Sequence, residues 1–97
     1  MDHQERLAAF LLSPIDKNML EQIELALKHN KFASIMFRSN KLEGAEKHFL
    51  KALEISDELG IPYTNVMQNL GNLYAQKKDY VLAEEYYRRV IEESPSG

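Results

Sequence analysis

Apolar residues recur along this chain with the period of an α-helix, and no β-branched run alternates with period two. Between residues 63 and 77 the apolar positions are Val66, Met67, Leu70, Leu73 and Tyr74, which fall on one helical stripe. Between residues 80 and 93 they are Tyr80, Ala83, Tyr87, Val90 and Ile91, and between 42 and 59 they are Leu42, Ala45, Phe49, Ala52, Leu53 and Ile55. Upstream, Met19, Leu20, Ile23, Ala26, Leu27, Ala33, Met36 and Phe37 run on with little break. That stretch predicts one long helix from about residue 16 to 39, kinked near His29–Asn30.

The boundaries carry their own signals. Asp16 and Asp79 stand where a side-chain oxygen accepts the free N–H groups of a first helical turn. Glu84 and Glu85 precede Arg88 and Arg89 by one helical step, the favourable order for ion pairs along a helix. Pro14 divides an N-terminal segment from the rest, Gly60 and Pro62 mark a turn, and Pro95 and Gly97 end the chain. Gly44 and Gly71 sit inside helical patterns, where each costs about 1 kcal/mol relative to alanine, so a packing reason is expected for both.

Self-comparison uncovers a repeat. Sliding the C-terminal half back until Ala83 lands on Ala45 brings Leu70 onto Phe32, Gly71 onto Ala33, Tyr74 onto Met36, Tyr80 onto Leu42 and Tyr87 onto Phe49. Large residues meet large and small meet small, so the chain contains a duplicated helix–turn–helix unit. Gly71, Ala33, Ala45 and Ala83 are expected to let helices approach closely, with Phe49 and Tyr87 filling the space between units. The second unit, residues 64–97, resembles a tetratricopeptide repeat: Met67, Leu70, Gly71, Tyr74, Tyr80, Ala83, Tyr87 and Pro95 stand at the positions of that pattern, with Met67 in place of its tryptophan. The first unit, residues 26–59, is a degenerate version with His29, Phe32, Ala33, Met36 and Asp57 at the corresponding places. Residues 60–63 form a turn that lengthens the spacing between units, and residues 1–25 form an N-terminal helical extension. In that extension Leu7, Phe10 and Leu11 make a short apolar stripe, expected to pack on the first unit. The fold expected is all-α, a right-handed array of helical hairpins with about five helices.

The resemblance implies a concave groove lined by the first helix of each unit, in which a protein or peptide segment binds. By position, the first unit offers Asn30, Lys31, Ser34, Phe37 and Arg38, and the second Asn65, Gln68, Asn69, Asn72 and Gln76. The second set is also visible without the family. It is an uncharged stripe of carboxamides opposite the apolar face, and a carboxamide both donates and accepts, which suits the backbone of an extended peptide. Lys31 and Arg38 favour an acidic ligand through charge-assisted contacts. Some members of the family hold a C-terminal carboxylate with lysine, arginine and asparagine. Asn30 and Asn69 occupy two such places, but Ser34 replaces an asparagine and no third repeat is present in the sequence, so a complete clamp is not implied.

Composition narrows the remaining classes. The 97 residues make one domain at most, and the net charge of −3 argues against nucleic acid as a partner, which requires a basic face. There is no cysteine, and the apolar run LAAFLL is too short to span a bilayer. With no basic leader at the start, a cytoplasmic location and no membrane partner are the expectations. His3, His29 and His48 fit no zinc motif, and the acids scatter over helix surfaces, so neither an enzymatic centre nor a metal or other cofactor is expected. A second reading is self-association into a homodimer or scaffold through the last helix, by way of Tyr86, Val90 and Ile91.

Overall fold

The periodic stretches become helices, each ended by a local backbone device. A computed structural model describes residues 14–94, and the expectations for Leu7, Phe10, Leu11, His3 and Pro95 lie outside them. The described residues form α1 (Pro14–Arg38), α2 (Leu42–Leu59), α3 (Thr64–Gln76) and α4 (Tyr80–Glu93), with no strand among them. The chain is already helical at Pro14, upstream of Asp16, so α1 does not start after Asp16. It also runs unbroken through His29–Asn30.

α1, α2 and α3 end alike. One or two residues past each end the chain takes a left-handed conformation: Asn40 at φ 61°, Gly60 at φ 70° and Lys78 at φ 66°. The next N–H then reaches back to the last turn, from Lys41 to Met36 O at 2.8 Å, Ile61 to Ser56 O at 3.0 Å, and Asp79 to Tyr74 O at 2.8 Å. These bonds satisfy carbonyls that the helix itself leaves free. Asn40 and Lys78 lie one repeat period apart, so the duplication extends to the turn. Asp79 caps α4 by accepting from the Leu82 N–H at 3.2 Å.

α1 packs along α2, and α3 along α4, as two antiparallel hairpins; α2 joins them by packing on α3, and α1 touches α3 beside the joint. The seam of the first hairpin is made of small residues, Ala26 and Ala33 against Ala45 and Ala52, all buried. The Met36 thioether lies over Gly44, which has no side chain to meet it. The core then passes through Phe49, Leu53 and Ile55 to Val66, Met67, Leu70, Leu73 and Tyr74 of α3 and Ala83 of α4. Each large apolar side chain buried there contributes about 1.5–3 kcal/mol. Gly71 seats the ring of Tyr87, so Tyr87 fills space within the second hairpin rather than between the two units. Tyr80 and Ile91, expected in the α4 stripe, are exposed, because Ala83, Tyr87 and Val90 already meet α3 and no described element lies behind α4.

The repeat is structurally unequal at its outer flank. Leu70 is 0% exposed, whereas its counterpart Phe32 is 55% exposed. Leu70 has the first hairpin behind it, and no described residue takes that place behind Phe32.

Candidate functional site

α1 and α3 lie side by side, and a cleft opens between them. It has a volume of about 230 Å³ and is lined by Ser34, Phe37 and Arg38 of α1, Phe49 of α2, and Asn69 and Asn72 of α3. Five of these six residues belong to the set expected from the sequence. Phe49 is the addition: it is a core residue whose ring also floors the cleft, edge-on to Phe37 with centroids 6.3 Å apart. Its place in the core stripe was legible, but its position beneath the cleft depends on how α2 sits under α1 and α3.

The polar groups of the cleft are partly committed. Asn69 Nδ2 donates to Asn65 Oδ1 at 3.1 Å, which leaves the Asn69 carbonyl oxygen and one N–H for a ligand. Asn72 Oδ1 accepts from the Tyr87 hydroxyl, so its amide N–H groups remain. Arg38 Nε donates to the Ser34 carbonyl at 3.4 Å, a weak contact that folds the guanidinium back along α1. Among the described residues no carboxylate pairs with Arg38. The cleft thus combines an apolar floor with unspent amide donors and one cation.

The remaining candidates lie elsewhere. Gln76 Nε2 donates to Asn40 Oδ1 at 3.0 Å and ties α3 to the turn after α1. Asn65 enters only through its bond to Asn69, and Lys31 and Gln68 are exposed outside the cleft lining. Asn30 turns inward, with its Oδ1 buried and unpartnered, toward Tyr63. Burial pushes the Tyr63 phenol up, and the Asn30 amide pulls it partly back.

Behind the cleft a polar clasp sets how the two hairpins meet. The Tyr74 hydroxyl donates to Glu46 Oε2 at 2.7 Å, and Lys77 Nζ contacts Glu46 at 3.1 Å and Glu43 at 3.3 Å. The Tyr74 bond is the main reason that Glu46 is held below the usual carboxylate range; burial acts against it and Lys77 assists. Burial, followed by Glu46, drives Tyr74 well above the usual phenol range. Lys77 is raised by its bond to Glu46. A second tie runs from Arg89 to Asp57 at 3.1 Å. Arg88 pairs with Glu84 at 2.7 Å as the spacing predicts, but Arg89 takes Asp57 and Glu93 instead of Glu85. Asp57 reaches it from the end of α2, a partner that local spacing does not reveal.

On α4, Tyr86 and Val90 are half-buried against the core, and the Tyr86 ring stacks on Tyr74 with centroids 5.7 Å apart. Ile91 is 76% exposed and Val81 79%. No group of three or more metal-ligating side chains converges among the described residues. No helix among them is long and apolar enough to cross a membrane.

Paired helices, small residues at the seams and a groove between the first helices of successive hairpins are the architecture of one repeat family, whose profile matches residues 24–92. The chain belongs to the tetratricopeptide repeat family. The match spans both hairpins, including the degenerate first one. Neither the comparison with curated proteins nor that with solved structures returned a match. Tetratricopeptide repeat domains mediate protein–protein interactions and are typically not enzymes.

Proposed function

We propose that this tetratricopeptide repeat chain binds an extended, acidic peptide segment in the groove between α1 and α3. The observation that carries the reading is the cleft itself, where Ser34, Phe37 and Arg38 of one hairpin meet Asn69 and Asn72 of the other. An apolar side chain of the ligand rests on Phe37, which Phe49 backs from the core. Its backbone is read by Asn69 and Asn72, and a carboxylate is taken by Arg38, whose planar fork suits two parallel bonds. Asn65 and Lys31 extend the same face, while Gln76, tied to Asn40, closes one end.

The test begins with peptides selected from a random display library on the intact chain, followed by fluorescence anisotropy. Replacing Arg38 by Gln is expected to weaken an acidic binder about tenfold, equivalent to about 1.4 kcal/mol. Asn69→Ala is expected to weaken it by a similar factor. Unchanged affinity in both variants would mean that the groove is not the binding face.

A second reading, homo-oligomerisation, is favoured by the exposure of Val81 and Ile91 on the outer side of α4. It predicts a mass that rises with concentration in light scattering and falls back to monomer in Ile91→Glu. A monomer at every concentration would dismiss it.

A further inference from the structure

Away from the groove, the first hairpin carries a polar contact that no binding role uses. His29 of α1 and His48 of α2 face each other Nδ1 to Nδ1 at 2.9 Å, with ring centroids 5.1 Å apart. That centroid separation is close to the largest this nitrogen distance allows, so the rings meet nearly end-on and the contact is an N–H···N hydrogen bond. One ring is therefore the Nδ1–H tautomer, and the other offers a bare Nδ1. Both are anchored on regular helices, and Phe32 packs against His48 with centroids 6.0 Å apart.

We infer that His29 and His48 form a proton-sensitive clasp between α1 and α2, closed while the pair holds at most one extra proton and open when it holds two. The first added proton goes to Nε2 of the donor ring. It leaves the Nδ1–H···Nδ1 bond in place and strengthens it, since the donor is now charged. A second proton has only the bare Nδ1 to occupy. That atom is the acceptor of the bond, so two N–H groups then point at each other and the rings must part.

The surroundings oppose the doubly charged state. The cleft around the pair is lined by Lys47, Lys51 and Glu54 of α2, and Lys51 and Glu54 pair at 3.7 Å. From α1 the lining is His29 itself, and among the described residues α3 and α4 contribute none. Two imidazolium rings would face two lysines and one carboxylate. Burial, then His48 and Lys51, already hold His29 below the ordinary imidazole value. The folded hairpin thus binds the last proton less readily than the unfolded chain does. The stability that the pair supplies is present above the ordinary imidazole value of 6.5 and is lost as the pH falls below it. Because α1 also bears Ser34, Phe37 and Arg38, acid loosens the helix that forms one wall of the cleft. The clasp itself stands whatever that cleft binds.

The experiment is a ¹⁵N-resolved titration of both imidazoles in the intact chain, together with urea unfolding at about pH 7 and about pH 5, for the wild type, His29→Gln and His48→Gln. Near neutral pH one Nδ1 is expected to be protonated and the other not, and the two rings are expected to titrate in two coupled steps. The wild-type folding constant is expected to fall more steeply with acid than that of either variant, by up to about tenfold per pH unit for each excluded proton. Both rings titrating together in one step at the free-imidazole value overturns the clasp, as does an equal acid dependence in all three proteins. If a variant does not fold, the wild-type titration decides alone.

Discussion

Gly71 marks the closest approach in the second hairpin, and its replacement by alanine pits two known effects against each other. A methyl group on Gly71 meets Tyr87 at 2.5 Å from Cε1, 2.7 Å from Cδ1 and 3.0 Å from Cζ. The ring must retreat by most of an ångström to reach ordinary contact. Overpacking of this kind costs about 1–3 kcal/mol, and displacing the ring strains the Tyr87–Asn72 hydrogen bond, a further loss of about 1 kcal/mol. Against this, alanine gains about 1 kcal/mol of helix propensity. Gly71→Ala is therefore expected to destabilise the wild type by about 1–3 kcal/mol. In a Tyr87→Ala background the obstacle is gone, and the same substitution is expected to stabilise by up to about 1 kcal/mol. Urea unfolding of the four proteins of that double-mutant cycle reads the change of sign directly. Gly44 supplies the contrast: its added methyl meets Met36 Sδ at 2.7 Å, but the end of a thioether chain swings aside. Gly44→Ala is expected to be neutral or stabilising by up to about 1 kcal/mol. If Gly71→Ala has the same sign in both backgrounds, the ring is not what keeps that position glycine.

The other predictions concern the turns and the joint. Lys41 and Asp79 begin α2 and α4 with nearly the same backbone, ψ 75° and ψ 81° at φ −92°, but only Asp79 caps its helix. Lys41→Asp is expected to stabilise the chain by about 1 kcal/mol, and Asp79→Ala to destabilise it by a similar amount, both read as shifts of the urea midpoint. Tyr74→Phe keeps the ring on Tyr86 and removes the bond to Glu46, at a cost of about 1–2 kcal/mol near neutral pH. Glu46 is held below its ordinary value of 4.5, so its contribution is present above that pH and disappears as the pH falls through the lowered folded value. The gap between wild type and Tyr74→Phe should therefore narrow in acid, and a gap independent of pH would count against the clasp. Arg89→Ala is expected to cost under about 1 kcal/mol, since its bridge to Asp57 is partly solvated, and salt should erase most of the difference.

How much of the site is legible in the sequence differs from residue to residue. Ser34, Phe37, Arg38, Asn69 and Asn72 follow from repeat position, because residues at equivalent places in two copies of one hairpin face the same way. The same rule puts Asn30 on that face, yet its carboxamide turns inward toward Tyr63. The rule sets the direction of the Cα–Cβ bond and not the choice of rotamer, which the neighbour decides. Gln76 is drawn off by Asn40, a partner in the other hairpin. Tyr86 and Val90 read as edge residues but are held against the core by Tyr74 and its neighbours.

The sequence by itself determined the helices, their pairing into two hairpins and the family. Each of these rests on local period and on repetition, which are properties of the chain alone. Asp79 as a cap and Glu84 with Arg88 are likewise short-range facts, set within one or two turns. The tertiary structure decided everything that joins residues of different helices: Tyr74 with Glu46, Arg89 with Asp57, His29 with His48, and the floor that Phe49 gives the cleft. Such pairs depend on the crossing of packed helices and on which rotamers the close-packed seams admit. No spacing along the chain records that geometry.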